Sequence, residues 1–272
     1  MTEIKRKTIG LALGSGGWRG LAHFGVIKEF ERQGIPIDCI SGSSAGALIG
    51  GLYSYYGSTY EIESIISSFG YRSLYGILFD PARKLGLING DKYTKFIEKY
   101  TGDVRIEDLK IKFTAVCSDL IKGDPVGLTE GKLSSAIRAS SSMPTVFKPM
   151  MINGRLLVDG GNTMPVPVKM VKEMGADIVV AVNLYGKMFP YKREYLKKQE
   201  LSLISVTRIT YQMLIESLAS ENTKEADIVI NPKIWEGEFN IFKNLINNQE
   251  TTIEDGERAA RDVIPAIKKL LY

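Results

Sequence analysis

Cys39-Ile40-Ser41-Gly42-Ser43-Ser44-Ala45-Gly46-Ala47-Leu48-Ile49-Gly50 is the stretch on which the reading of this chain turns. Ile37 to Ser41 reads as a short buried strand, and the uncharged run from Ala45 to Tyr56 as a helix. A strand passing this abruptly into a helix belongs at the carboxyl edge of a parallel sheet, where functional loops gather. The pentapeptide Gly42-Ser43-Ser44-Ala45-Gly46 has the G-x-S-x-G spacing of a nucleophile turn. Gly42 and Gly46 leave room for neighbouring backbone, and Ser44 presents its hydroxyl at a helix N-terminus. There the Ala45 amide and the helix dipole favour a developing negative charge. The same letters also fit a serine-rich cap on the helix that starts at Ala45.

Working outward, apolar strand-like runs alternate with amphipathic helical stretches, which predicts an α/β protein with a mostly parallel sheet. Ile9 to Leu13 reads as a first strand and Leu21 to Gln33 as a helix closed by Gly34. Glu61 to Phe69 and Gly90 to Tyr100 read as helices, Lys112 to Cys117 and Val126 to Thr129 as strands, and Tyr71 to Ile88 as an irregular segment bordering a site. Met150 to Ile152 and Arg155 to Val158 flank Asn153-Gly154, a two-residue hairpin signal. Val166 to Met174 reads as a helix with Pro167 in its first turn, Ile178 to Asn183 as a strand, and Leu201 to Ala219 and Ile253 to Leu271 as long helices around the strand Ile228 to Asn231. Tyr185 to Gln199 and Trp235 to Glu250 read as surface loops or a lid.

Composition narrows the function. The 272 residues are 44% hydrophobic and 24% charged, enough apolar surface for a large core. Two cysteines, Cys39 and Cys117, with the single His23 supply neither a disulfide framework nor a four-ligand zinc site. A net charge of +4 is mildly favourable near anionic membranes and far from a nucleic-acid-binding signature. Neither the short apolar N-terminal run nor the Ser- and Gly-dense stretch from Cys39 to Tyr60 reads as a signal peptide or membrane span, so the expected location is the cytoplasm.

The glycine loop Gly14-Ser15-Gly16-Gly17-Trp18-Arg19-Gly20 follows the first strand. It fails the dinucleotide fingerprint, which needs glycine where Arg19 stands, and no Lys-Ser/Thr makes it a phosphate loop. Its consecutive amides suit an oxyanion, and equally a tight turn with close strand–helix packing.

A nucleophilic serine needs a base, and no histidine follows Ser44, so a Ser-acid-His triad in α/β-hydrolase order is impossible. No serine has lysine at the third position after it, and His23, on the first helix, reads as a loop-bracing residue. A carboxylate acting directly on serine remains. Asp159 ends a strand and precedes Gly160-Gly161, where partial desolvation would raise its basicity; it also fits a turn-initiating aspartate. Asp38, Asp119 and Asp124 are weaker candidates.

In this order, the glycine loop, Gly42 to Gly46 and Asp159-Gly160-Gly161 resemble the patatin-like phospholipase family, in the style of small bacterial members made of that domain alone. The likeness extends to Leu21 to Val26, to Ala139 to Pro144 with Phe147 and Pro149, and to Asn162 through Pro167, covering roughly residues 8 to 185.

The resemblance implies a three-layer fold, a central mostly parallel sheet flanked by helices, in one domain over 1–272 with a more variable C-terminal helical part. It implies a Ser-Asp dyad, Ser44 as nucleophile and Asp159 as base, with Gly14, Ser15, Gly16, Gly17, Arg19 and Gly20 as the oxyanion-hole loop. Its amides around Gly16 and Gly17 would hold the oxyanion, and Arg19 would brace the loop or face a lipid phosphate. Gly42, Ala45 and Gly46 would form the nucleophile elbow, and Gly160 and Gly161 the motif after the acid. Many members carry a third successive glycine where this chain has Ser15.

The implied activity is hydrolysis of lipid carboxylic esters, of phospholipase A or lysophospholipase type, through an acyl-enzyme, with no metal or organic cofactor. Transient contact with a membrane surface and a cytoplasmic or peripheral location go with it; oligomeric state is left open. The competing expectation is an adaptor or regulatory protein that keeps the fold with little turnover.

Overall fold

A computed structural model describes residues 6–82, 84–186, 202–234 and 246–271. The expected loops between Tyr185 and Gln199 and between Trp235 and Glu250 lie largely outside them.

Eight strands form one sheet: β1 (Ile9–Leu13), β2 (Cys39–Ser43), β3 (Lys112–Asp119), β4 (Pro125–Leu128), β5 (Met150–Ile152), β6 (Arg155–Asp159), β7 (Ile178–Val182) and β8 (Ile228–Ile230). The order is β5-β6-β3-β2-β1-β7-β8, with β4 pairing β3 off this path. The stretch β3-β2-β1-β7-β8 is parallel, and β4, β5 and β6 add the antiparallel pairings.

Side-chain alternation makes the sheet a middle layer. Ile9, Leu11 and Leu13 of β1 and Ile178, Val180 and Val182 of β7 face one core, whereas Ala12, Val179 and Ala181 face the other. The first core is covered by α1 (Leu21–Arg32), α2 (Ala45–Tyr56), α3 (Tyr60–Ser68), α5 (Asp91–Thr101), α6 (Leu133–Ser140) and α9 (Gln249–Leu271). The second is covered by α7 (Val168–Glu173) and α8 (Leu203–Asn222). The fold is therefore α/β with helices on both faces of a mostly parallel sheet. Among the described residues the remaining α-helix is α4 (Tyr71–Leu78).

The irregular reading of Tyr71 to Ile88 is corrected: its first half is α4, which buries only Leu74 and Ile77. Two buried positions at helical spacing are too few to stand out among the surrounding aromatics. Helix α6 lies in a stretch that carried no helical reading; it is a short serine-rich helix whose Leu133, Ala136, Ile137 and Ser140 share one buried face. Strand β2 extends to Ser43, because its pairing with β3 runs from Cys39–Lys112 to Ser43–Val116. Pro167 precedes α7 rather than sitting inside it.

The C-terminal helix is tied closely to the first. A Cβ at Gly25 would lie 2.0 Å from the Ile253 carbonyl oxygen, and one at Gly256 would lie 2.1 Å from that of Ala22. Only paired glycines let α1 and α9 touch backbone to backbone.

Candidate active site

Strand β3 explains how two distant residues meet. Its Ala115 and Val116 pair with β2 on one edge and with β4 on the other, whereas Cys117 and Ser118 pair with β4 and β6. Thus β6 occupies the edge that β2 has just vacated. The two strands run toward each other along that edge and stop at Ser43, opposite Val116, and at Asp159, opposite Cys117.

Ser44 follows at once, with φ 54° and ψ −115°, a backbone conformation that costs a non-glycine residue of order 1–3 kcal/mol. The turn survives because its neighbours pack through it: a Cβ at Gly46 would lie 2.1 Å from the Leu13 carbonyl oxygen, and one at Gly42 2.3 Å from that of Gly46. The reward is exposure of the serine hydroxyl to the end of β6. Ser44 Oγ donates to Asp159 Oδ2 at 2.7 Å.

Asp159 is 6% exposed, and its other oxygen, Oδ1, accepts the Gly161 amide at 2.8 Å. Burial pushes its carboxyl up to about 6, against the opposing pull of the Ser44 and Gly161 hydrogen bonds. A base of that strength is mostly ionised at neutral pH and still able to accept a proton.

The carboxyl end of α6 holds both residues by their backbones. The Ser140 hydroxyl accepts the Ser44 N–H at 2.9 Å and donates to the Val116 carbonyl at 2.5 Å. The Ser142 carbonyl accepts the Asp159 N–H at 3.0 Å. Behind them Arg138, 2% exposed, donates to Ser142 Oγ (2.6 Å) and to the carbonyls of Asn89 (2.7 Å), Lys148 (2.9 Å) and Gly90 (3.3 Å). Its guanidinium also lies over Phe147, 4.9 Å from the ring centroid, and Tyr93 stacks on the same ring. No residue reading assigned Arg138, Ser140 or Ser142 a role. Their signal was a run of serines closing an apolar helical face, which sequence alone does not separate from a cap.

The glycine loop sits beside the elbow: a Cβ at Gly20 would lie only 2.5 Å from that of Ala45. Its amides are not equivalent. Gly14 N–H donates to Val182 O (3.0 Å), Ser15 N–H to Pro165 O (2.7 Å) and Arg19 N–H to Gly16 O (3.3 Å). Gly16 and Gly17 open the 3-10 turn Gly17–Gly20, and helical geometry leaves the first amides of such a turn without an internal acceptor. Of the six loop residues, Gly16 and Gly17 are therefore the two whose amides precede the first internal bond of the turn and are not drawn to Val182 or Pro165.

Arg19 is 5% exposed and turned inward: Nε donates to Gly16 O (3.1 Å), Nη1 to Leu184 O (3.3 Å), and the guanidinium covers the Tyr185 ring at 4.6 Å. It braces the loop and does not face outward toward a phosphate. His23 braces it from the other side, its Nε2 meeting the Gly14 carbonyl at 2.6 Å. Burial lowers His23 to about 4, so the ring is neutral at pH 7 and Nε2 carries the donated proton.

On the far side of Asp159, Ser118 Oγ (2.8 Å) and Asn162 Nδ2 (2.9 Å) donate to its carbonyl. Tyr211 of α8 donates its hydroxyl to Asn162 Oδ1, and burial with the nearby Asp159 charge pushes its phenol up. Asp38 instead pairs with Arg6, and Asp119 accepts the Ile121 and Lys122 amides, so neither shares the site with Ser44. Cys39 and Cys117 are buried free thiols. Among the described residues no group of three His, Cys, Asp or Glu side chains could hold a metal, and no helix is long and apolar enough to cross a membrane.

Comparison with known proteins gives this geometry a setting. The profile of the patatin-like phospholipase family matches residues 11–172. An uncharacterized NTE family protein of Mycobacterium tuberculosis (strain ATCC 25618 / H37Rv) is 39% identical over 178 residues, 65% of this chain and 49% of the relative. Lysophospholipase nte1 of Neurospora crassa is 34% identical over 181 residues, 65% of this chain and 12% of the relative. The chain thus spans about half the length of the mycobacterial relative and a small part of the fungal one. The crystal structure of VipD from Legionella pneumophila shares the fold, with a TM-score of 0.58 and 12% identity over 94% of this chain and 67% of that one.

Proposed function

Because the chain belongs to the patatin-like phospholipase family, a family of carboxylic-ester hydrolases, we propose that it cleaves acyl esters of lipids, of phospholipase A or lysophospholipase type, with Ser44 as nucleophile and Asp159 as base. The observation that carries this reading is the 2.7 Å hydrogen bond from Ser44 Oγ to a carboxylate whose burial raises its basicity. The relatives named lysophospholipases support the substrate class.

In the first step Asp159 takes the Ser44 proton as Oγ attacks the ester carbonyl carbon. The oxyanion lies toward the Gly16 and Gly17 amides, with the N-terminus of α2 adding its dipole. Collapse expels the alcohol or lysolipid, which leaves with the proton from Asp159. In the second step Asp159 draws a proton from water as hydroxide adds to the acyl-enzyme, and collapse releases the fatty acid while Asp159 returns the proton to Ser44 Oγ. Packing of β8 and α9 onto the same sheet and core supports treating the chain as one patatin-like unit. The remaining loop residues, the elbow residues Gly42, Ala45 and Gly46, and Gly160 and Gly161 shape this centre.

The test compares wild type with Ser44→Ala on a short-chain chromogenic ester, on lysophospholipid and on diacyl phospholipid, beside labelling by a serine-reactive phosphonate. Turnover and labelling that both vanish in Ser44→Ala are the expected result. Turnover that survives the substitution removes Ser44 from the chemistry.

A further inference from the structure

We propose that the segments bordering the dyad form a docking surface for an anionic lipid bilayer; this rests on the hydrolase reading and names the physical form in which that site meets its substrate.

The observations form a continuous band. The turn after β3 exposes Leu120 and Ile121 just past the strand end that carries the dyad's neighbours. Leu120 N–H donates to the Leu156 carbonyl, and Leu156 pairs with Met151, itself exposed on the β5–β6 hairpin. The chain leading into that hairpin is joined to the next segment by Lys148 N–H to Ile88 O (2.9 Å) and Leu87 N–H to Val146 O (3.1 Å). Leu85 and Leu87 there are 68% and 73% exposed. Phe79, stacked on Tyr75 of α4, closes the band. Ser142, whose carbonyl fixes Asp159, stands one residue from exposed Met143, so the band reaches the site itself.

Large apolar side chains held in water on linked segments beside a site are costly unless a partner covers them. The charges select the partner. Lys84, Lys122 and Lys148 lie exposed among these residues, and none makes an ion pair among the described residues. The acids of the same segments are largely turned onto their own backbone: Asp119 Oδ1 accepts the amides of Ile121 (3.0 Å) and Lys122 (3.1 Å), and Asp80 Oδ2 accepts that of Lys92 (3.1 Å). Asp124 stays exposed. Apolar tips rimmed by unpaired lysines fit an interface of acyl chains beneath anionic headgroups.

The test uses the chain carrying Ser44→Ala, so that bound lipid is not consumed, in flotation with phosphatidylcholine vesicles with and without phosphatidylglycerol. The expected result is binding that is stronger with phosphatidylglycerol and weakened by salt. Leu87→Ser and Ile121→Ser should each weaken binding to both vesicle types about tenfold. Lys84→Gln and Lys122→Gln should each weaken it about fivefold on anionic vesicles alone. With Ser44 intact, all four should turn over the soluble ester at the wild-type rate.

Equal vesicle binding by wild type and all four variants overturns the proposal. So does a concentration-dependent dimer that Leu87→Ser dissolves, which would make the band a contact between copies of the chain. Failure of the hydrolase reading shows separately, as absent ester turnover in the Ser44 chain whose vesicle binding still responds to these four changes.

Discussion

The carboxylate of Asp159 reaches the hydroxyl of Ser44 because β6 and β2 share one edge of β3 and run toward each other until they stop at adjacent positions, opposite Cys117 and Val116. Neither side chain spans a cleft. Strand ends set the 2.7 Å separation, and its precision is that of sheet register.

Replacing Asp159 by Asn removes the proposed proton acceptor while preserving the acceptor for the Gly161 amide. The expected loss in kcat on a soluble ester is about 10²–10⁴-fold, the usual range for a positioned general base. In wild type, kcat/KM should rise with pH, tenfold per unit, until Asp159 ionises near pH 6, and then level off. A flat profile from pH 4 to 8 would remove Asp159 as the base.

The same carboxyl and His23 pull stability in opposite directions. Asp159 is raised from 3.8 to about 6 on folding, so the folded state holds its proton longer and stability falls as pH climbs through that window. His23 is lowered from 6.5 to about 4, so the unfolded chain binds the extra proton and stability rises with pH between 4 and 6.5. In wild type the two slopes largely offset. Asp159→Asn should leave the rising slope and, above pH 6, gain stability of order 3 kcal/mol. His23→Gln, which can still donate to the Gly14 carbonyl, should leave the falling one. Denaturant melts across this pH range report both.

Ser140→Ala strips the acceptor from the Ser44 amide without touching Ser44 Oγ or Asp159 Oδ2. An unpaired buried N–H costs roughly 1–3 kcal/mol, and relaxation of the strained elbow is one way to relieve it. The expected readout is a kcat lowered about tenfold at nearly unchanged KM, restored by Ser140→Thr. A variant with wild-type kcat would show that the elbow keeps its shape without this bond.

Arg138→Met fits the volume but takes the guanidinium donor from the Asn89 and Lys148 carbonyls, while Gly90 O keeps Thr94 and Ser142 Oγ keeps the Arg138 carbonyl; the expected loss is roughly 3 kcal/mol in urea unfolding. Arg138→Lys should recover little of it, since an ammonium lacks the planar fork that reaches Asn89, Lys148 and Ser142 together. Full recovery by lysine would assign the stability to charge rather than to geometry.

Much of the fold could be read from the chain because its parallel strands are buried on both faces and stand out as short apolar runs, as Ile9–Leu13 and Ile178–Val182 do. Ser44 was legible because a glycine-flanked turn between strand and helix is a local pattern. Asp159 was reached by excluding other bases and by the two glycines after it. The support behind the dyad was hidden for a different reason: Arg138 and Ser142 act on residues far away in sequence, Asn89 and Asp159, and long-range hydrogen bonds leave no periodicity. The split within the glycine loop was hidden too, since only the partners Val182 and Pro165 reveal which amides are already occupied.

The meeting of β2 and β6 also sets when the Ser44–Asp159 pair can exist. Ser44 is made early and Asp159 follows 115 residues later, after β3 has been laid down as their common template. A growing chain that has emerged only as far as the elbow carries a serine with no proton acceptor, and a misregistered sheet carries two groups that do not touch. On the proposed mechanism, ester cleavage would therefore report completed folding of the sheet.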